Sequence, residues 1–152
     1  MEEDYVKNGV TDRIVRFVRK LPHKDNPDLV ILKGHLLLEE ALKDYLRAVL
    51  PNPEALDMKK FGYWEVCNFS AALYKGPFSW LWNPLRELNA IRNQLAHHLD
   101  PKDFDARIER FITSISKGWI DPGLVNDLPL AISALYSMLD AIIQRQEIGK
   151  NG

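Results

Sequence analysis

The chain has 152 residues, 46% of them apolar and 27% charged, with a net charge of −1. That is the balance of an ordinary globular domain long enough to bury a core, and it argues against bulk electrostatic binding to nucleic acid or an anionic membrane. A single cysteine, Cys67, excludes an intrachain disulfide and a cysteine-based zinc site.

The start, Met1-Glu2-Glu3-Asp4, is acidic and lacks an apolar signal core. The longest apolar runs, such as Leu36-Leu37-Leu38, fall far short of a bilayer span. The expectation is a cytoplasmic protein with no membrane partner. Thr11 to Leu21 reads as a first short helix, with Thr11 as cap. Ile14, Val15, Phe17 and Val18 form its apolar face, and Arg13, Arg16, Arg19 and Lys20 form a solvated basic one.

Five Asx-Pro pairs then punctuate the chain: Asn26-Pro27, Asn52-Pro53, Asn83-Pro84, Asp100-Pro101 and Asp121-Pro122. An Asn or Asp cap accepts from a free helix N–H, and proline suits the next position because it has no N–H to leave unpaired. Each pair therefore predicts a helix start. Apolar residues at helical spacing follow most of them, and no period-2 strand stands out. The expected fold is an all-α, single-domain bundle of four or five main helices plus short ones. Its core spans roughly residues 11–146, with 1–8 and 147–152 frayed. Glu54 to Phe61 and Trp64 to Tyr74 read as shorter helices. Eight aromatics crowd the middle third, from Phe61 to Trp82, and read as core before they read as a base-stacking surface. Gly118 ends the helix that follows Asp100-Pro101. The last helix starts best with Asp127 as cap, which puts Pro129 in its first turn.

The helix from about Asp28 to Leu50 turns Ile31, Leu38, Leu42, Tyr45, Leu46 and Val49 inward, and Lys33, Glu40, Lys43, Asp44 and Arg47 outward. Gly34 permits close approach of a neighbouring helix. His35 and Glu39 fall on the apolar side, where a carboxylate needs a partner. The central helix, from Asn83-Pro84 to about His98, places Leu85, Leu88, Ile91, Leu95 and Leu99 on its buried stripe. Arg92 lies inside that stripe, while Asn89, Asn93 and His97 form a line on one flank. Arg92 and Glu39 are the two unexplained inward charges, so each is expected to be the other's partner.

These residues permit two kinds of role. A structural one spends Arg92 and Glu39 on an ion pair and His97 on the helix dipole. A chemical one uses His97 as proton shuttle and Arg92 to stabilise a phosphorane, with RNA supplying its own 2′-OH nucleophile and no metal or cofactor. A metal site from His35, Glu39, His97 and His98 is disfavoured, because adjacent histidines on a helix point about 100° apart.

Arg92-Asn93-Gln94-Leu95-Ala96-His97 matches the Arg-polar-x-x-x-His pattern of the HEPN superfamily, and the chain resembles its mannitol-repressor (MtlR-like) branch. There, a helix similar to Gly34-His35-Leu36-Leu37-Leu38-Glu39-Glu40 precedes the Arg-Asn-x-x-Ala-His helix. The resemblance runs roughly from Asp28 to Ile115. It implies an all-α domain and a metal-independent endoribonuclease of toxin or phage-defence type. Arg92, Asn93 and His97 would be catalytic, with Glu39, His35 and Asn89 in support. It also implies RNA as substrate, a homodimer that pairs two motifs in one cleft, and an antitoxin or regulatory protein partner. The alternative it carries is a non-catalytic, mannitol-repressor-like transcriptional regulator or interaction module in which the motif is structural.

Overall fold

The computed structural model describes residues 11–22, 26–119 and 121–151. Among them are six α-helices and no strand: α1 (Asp12–Lys20), α2 (Pro27–Val49), α3 (Tyr63–Leu73), α4 (Trp82–His97), α5 (Phe104–Gly118) and α6 (Leu128–Asn151). The all-α expectation is met. No helix of the described residues is long and apolar enough to cross a membrane. The expectation for residues 1–8 lies outside the described residues.

Local chemistry sets most of the starts. Thr11 Oγ1 accepts from the Ile14 N–H at 3.2 Å, and Asn26 Oδ1 accepts from the Asp28 N–H at 2.8 Å with Pro27 at the first helical position. Asp127 Oδ1 accepts from the Leu130 N–H at 2.8 Å, which fixes the later start of the last helix. The other four Asx-Pro pairs behave differently, and Asp121-Pro122 opens only the 3₁₀ turn Pro122–Leu124. Asn52-Pro53 opens only a 3₁₀ turn (Pro53–Ala55), and a second such turn (Met58–Lys60) replaces the rest of the helix expected over Glu54–Phe61. Asn83 is not a cap: α4 begins at Trp82, straight from the 3₁₀ turn Ser79–Leu81. Pro84 then sits in the first turn, where its missing N–H costs nothing. Asp100-Pro101 lies in a turn, and α5 starts after Asp103, whose φ of 54° is left-handed, a region aspartate tolerates.

α2 is the hub. It packs against α1, α3, α4 and α6, and buries Ile31, Leu38, Leu42, Tyr45 and Leu46. Gly34 allows a close approach of α6. A Cβ there would lie 2.9 Å from both Cδ1 and Cγ2 of Ile132 on α6. A similar device ends α5, where a Cβ on Gly118 would collide with the Trp80 ring at 2.6 Å.

Two expectations about charge and ends are overturned together. Arg13 is not on a solvated face. Its Nε donates to Asp140 Oδ1 at 2.8 Å and its Nη1 to Glu147 Oε1 at 2.9 Å. Asp140 is 2% exposed and also accepts from Thr11 Oγ1 at 2.8 Å and Gln144 Nε2 at 2.8 Å. Burial pulls the Arg13 pKa down, but its bonds to Glu147 and Asp140 outweigh that and raise it. The segment expected to fray from Glu147 instead continues α6 to Asn151. Glu147 clamps α1, and Lys150 Nζ donates to the Arg47 carbonyl at 3.1 Å.

Candidate functional site

The candidate site lies where α2, α3 and α4 meet. His35 is 8% exposed and stacks on Tyr63, with ring centroids 4.2 Å apart and planes inclined by 18°. Its Nε2–H donates to Asn89 Oδ1 at 2.9 Å. Tyr63, fully enclosed, donates its hydroxyl proton to the Leu85 carbonyl at 2.8 Å. His35 from α2, Tyr63 from α3 and Asn89 with Leu85 from α4 thus form one polar knot in an apolar junction. Burial lowers the His35 pKa, and the Arg92 charge lowers it further; the Asn89 bond and the Glu39 charge act the other way without reversing it. The Nε2–H tautomer of the neutral ring satisfies this geometry. Burial also pushes the Tyr63 hydroxyl well above its usual range.

The expected Arg92–Glu39 ion pair does not form. Glu39 pairs with Lys43 on its own helix, at 3.6 Å. Arg92 is half-buried and has no ion-pair or hydrogen-bond partner among the described residues, although its charge reaches His35. The reason is local. Glu followed four residues later by Lys is the favourable helical ion-pair spacing, and it needs no second helix. A half-buried carboxylate that can reach such a neighbour does not require the guanidinium.

Asn93 and His97 face solvent, and His97 is the last residue of α4. His98 is already extended, with φ −135° and ψ 132°. Leu99, expected on the buried stripe, is fully exposed. The helical period that placed it inward stops two residues earlier. Leu85, Leu88 and Ile91 are wholly buried as expected, and Leu95 is half-buried.

The remaining polar residues of α4 hold the helix in place. Gln94 Oε1 accepts from Arg107 Nη1 at 3.0 Å, and Arg107 Nε pairs with Glu87 at 2.7 Å, tying α4 to α5. Arg86 Nε donates to Asn68 Oδ1 at 3.0 Å, tying α4 to α3. The sequence-predicted residues therefore divide. His35 and Asn89 are brought into contact, and Arg92 is close enough to shift His35. Asn93 and His97 stand in water, and Glu39 turns to Lys43. Tyr63, which holds His35 from below, was legible only as one aromatic among eight. Nothing in the sequence marks its ring for His35.

Among the described residues, no cluster of three or more His, Cys, Asp or Glu side chains has metal-binding geometry. Comparison with protein-family models, with curated proteins and with solved structures gave no match.

Proposed function

We propose that the protein is a HEPN-like, metal-independent endoribonuclease of the toxin or phage-defence kind. The observation that carries this reading is the unspent guanidinium. Arg92 sits half-buried with no carboxylate or carbonyl partner among the described residues, on a helix that also presents Asn93 and His97 to solvent. A half-buried cation without a partner is costly as scaffold and useful as an anion site.

In this reading Arg92 holds the scissile phosphate and stabilises the phosphorane, and Asn93 orients it. His97 takes the proton of the RNA 2′-OH as the 2′-oxygen attacks phosphorus. The P–O5′ bond breaks, the 5′-oxygen leaves protonated, and the 2′,3′-cyclic phosphate remains. On an ideal helix Arg92 and His97 are about 140° apart, so one helix does not aim both at one phosphate. A second copy supplies the missing half: the His97 that faces the phosphate held by Arg92 is the partner subunit's His97, which takes the 2′-OH proton and then delivers it to the leaving 5′-oxygen. The exposed ridge Leu29, Leu32 and Leu36 on α2, beside His35, is an apolar surface suited to that copy.

The same ridge favours the second reading, a non-catalytic regulator or interaction module that uses it to bind a regulatory protein. Incubation of RNA with purified protein in EDTA separates the two. Nuclease action gives 2′,3′-cyclic phosphate ends, and Arg92→Ala and His97→Ala each abolish cutting. Because Arg92 has no ion pair to lose, Arg92→Ala shifts the melting temperature by no more than about 2 °C. Cutting by both variants at the wild-type rate, or no product from the wild type, refutes the nuclease reading.

A further inference from the structure

A cavity of about 690 Å³ opens between the C-terminal half of α2, the segment after α3 and the middle turns of α6. It shares no residue with the Arg92 face. Its volume is within the range of about 300–1,000 Å³ typical of small-molecule sites. Tyr45 and Ile142, both buried, are among its lining residues, as are Tyr74, Phe78 and Met138.

The wall is held in place. Tyr74 OH accepts from the Phe78 N–H at 3.0 Å, and Gly76 lies so close to the same hydroxyl that no Cβ fits. Behind Tyr45 and Tyr74 stands Trp82, in ring contact with both at 6.2 and 5.4 Å. Its Nε1–H is buried with no acceptor among the described residues.

The charge around this apolar space has one sign. Lys75 and Arg145 line it, both exposed, and no aspartate or glutamate does. Neither cation has an ion-pair or hydrogen-bond partner among the described residues, although six other ion pairs form there. An apolar chamber with two uncommitted cations is complementary to a molecule with an apolar body and a negative head.

We propose that this cavity binds an amphiphilic monoanion, a medium-chain carboxylate, with its chain against Tyr45, Met138 and Ile142 and its head between Lys75 and Arg145. Titration calorimetry of the full chain tests this with decanoate and decyltrimethylammonium as probes, which share a chain length and differ in head charge. Decanoate should bind saturably at one site, and the cationic probe about tenfold more weakly or not at all. Lys75→Glu and Arg145→Glu, both at exposed positions that leave the core intact, should each weaken decanoate about tenfold without changing the melting temperature. Ala141→Trp, which narrows the opening from α6, should block binding altogether. Equal binding of both probes would mean an unspecific apolar surface and would overturn the proposal. So would silence of decanoate up to millimolar concentration, or unchanged affinity in both charge-reversal variants. A dimer that dissociates on Lys75→Glu would overturn it too, because the cavity would then be covered by a second copy.

Discussion

Removing the Asp140 carboxylate tests whether the ion pair between α1 and α6 holds the first helix in place. Asp140 is 2% exposed and accepts three side-chain hydrogen bonds of 2.8 Å, from Thr11, Arg13 and Gln144. Breaking a buried pair from one side costs about 3–5 kcal/mol, because the other charge is left without compensation. Arg13 keeps Glu147, and its side chain is 19% exposed, so water can reach it and the lower end applies. Asp140→Ala should therefore cost about 3 kcal/mol. For a chain of this size that lowers the melting temperature by about 6–12 °C. Asp140→Asn keeps the volume and one acceptor, and should fall between wild type and Asp140→Ala. Urea unfolding of wild type, Asp140→Ala, Arg13→Ala and the double variant gives the coupling directly, expected at about 1.5 kcal/mol or more. If Asp140→Ala stays within about 1 kcal/mol of wild type, or the coupling is near zero, the pair is not what anchors α1.

Two further outcomes follow from the hub helix. Gly34→Ala gains up to about 1 kcal/mol of helix propensity but places a methyl 2.9 Å from two carbons of a wholly buried Ile132, an overpacking that costs about 1–3 kcal/mol. The net effect should be destabilising in the wild type and stabilising in an Ile132→Ala background, a sign reversal that thermal melts would detect. His35 has a folded-state pKa below its ordinary 6.5, so below about pH 6.5 the unfolded chain binds more protons than the folded one. Stability should be full above that pH and fall as pH drops toward the folded-state value. His35→Gln should flatten this slope in urea midpoints taken from pH 8 to pH 5, and an unchanged slope would show that His35 is not its source.

The parts of the fold that depend on nearest neighbours were legible. Asn26 and Asp127 cap as their side chains dictate, and the 3.6-residue period put Leu85, Leu88 and Ile91 inside. Gly34 announced a close approach, though not its partner. Misreadings came where a local rule met a competitor. Asn83 had cap chemistry, but the preceding 3₁₀ turn had already begun the helix. Leu99 had the right phase in a helix that had stopped.

The ion pairs are the most instructive case. Two inward charges on α2 and α4 invited a cross-helix pair, yet the Glu39–Lys43 spacing on one helix already answered the question. The buried pair that does exist joins Arg13 to Asp140 across 127 positions. Its one sequence signal was a lone carboxylate between Leu139 and Ile142 in an otherwise apolar stretch of α6. For the candidate site, the sequence supplied the residue types and α2–α4 as their carriers. It could not say that Arg92 would stay unpaired, because that depends on what Glu39 does instead.

The central place of α2 also sets the timetable of folding. Its companions α3 and α4 are made soon after it, but α6, which fills the groove at Gly34, begins only at Leu128, 79 positions after α2 ends at Val49. At about 5–20 residues per second, that face of α2 waits on the order of ten seconds during synthesis with nothing from its own chain to cover it. Closure then spans a long loop, which slows the step without weakening the final state. The nascent chain is most open to chaperones, and to faulty association, in the interval before its last helix arrives.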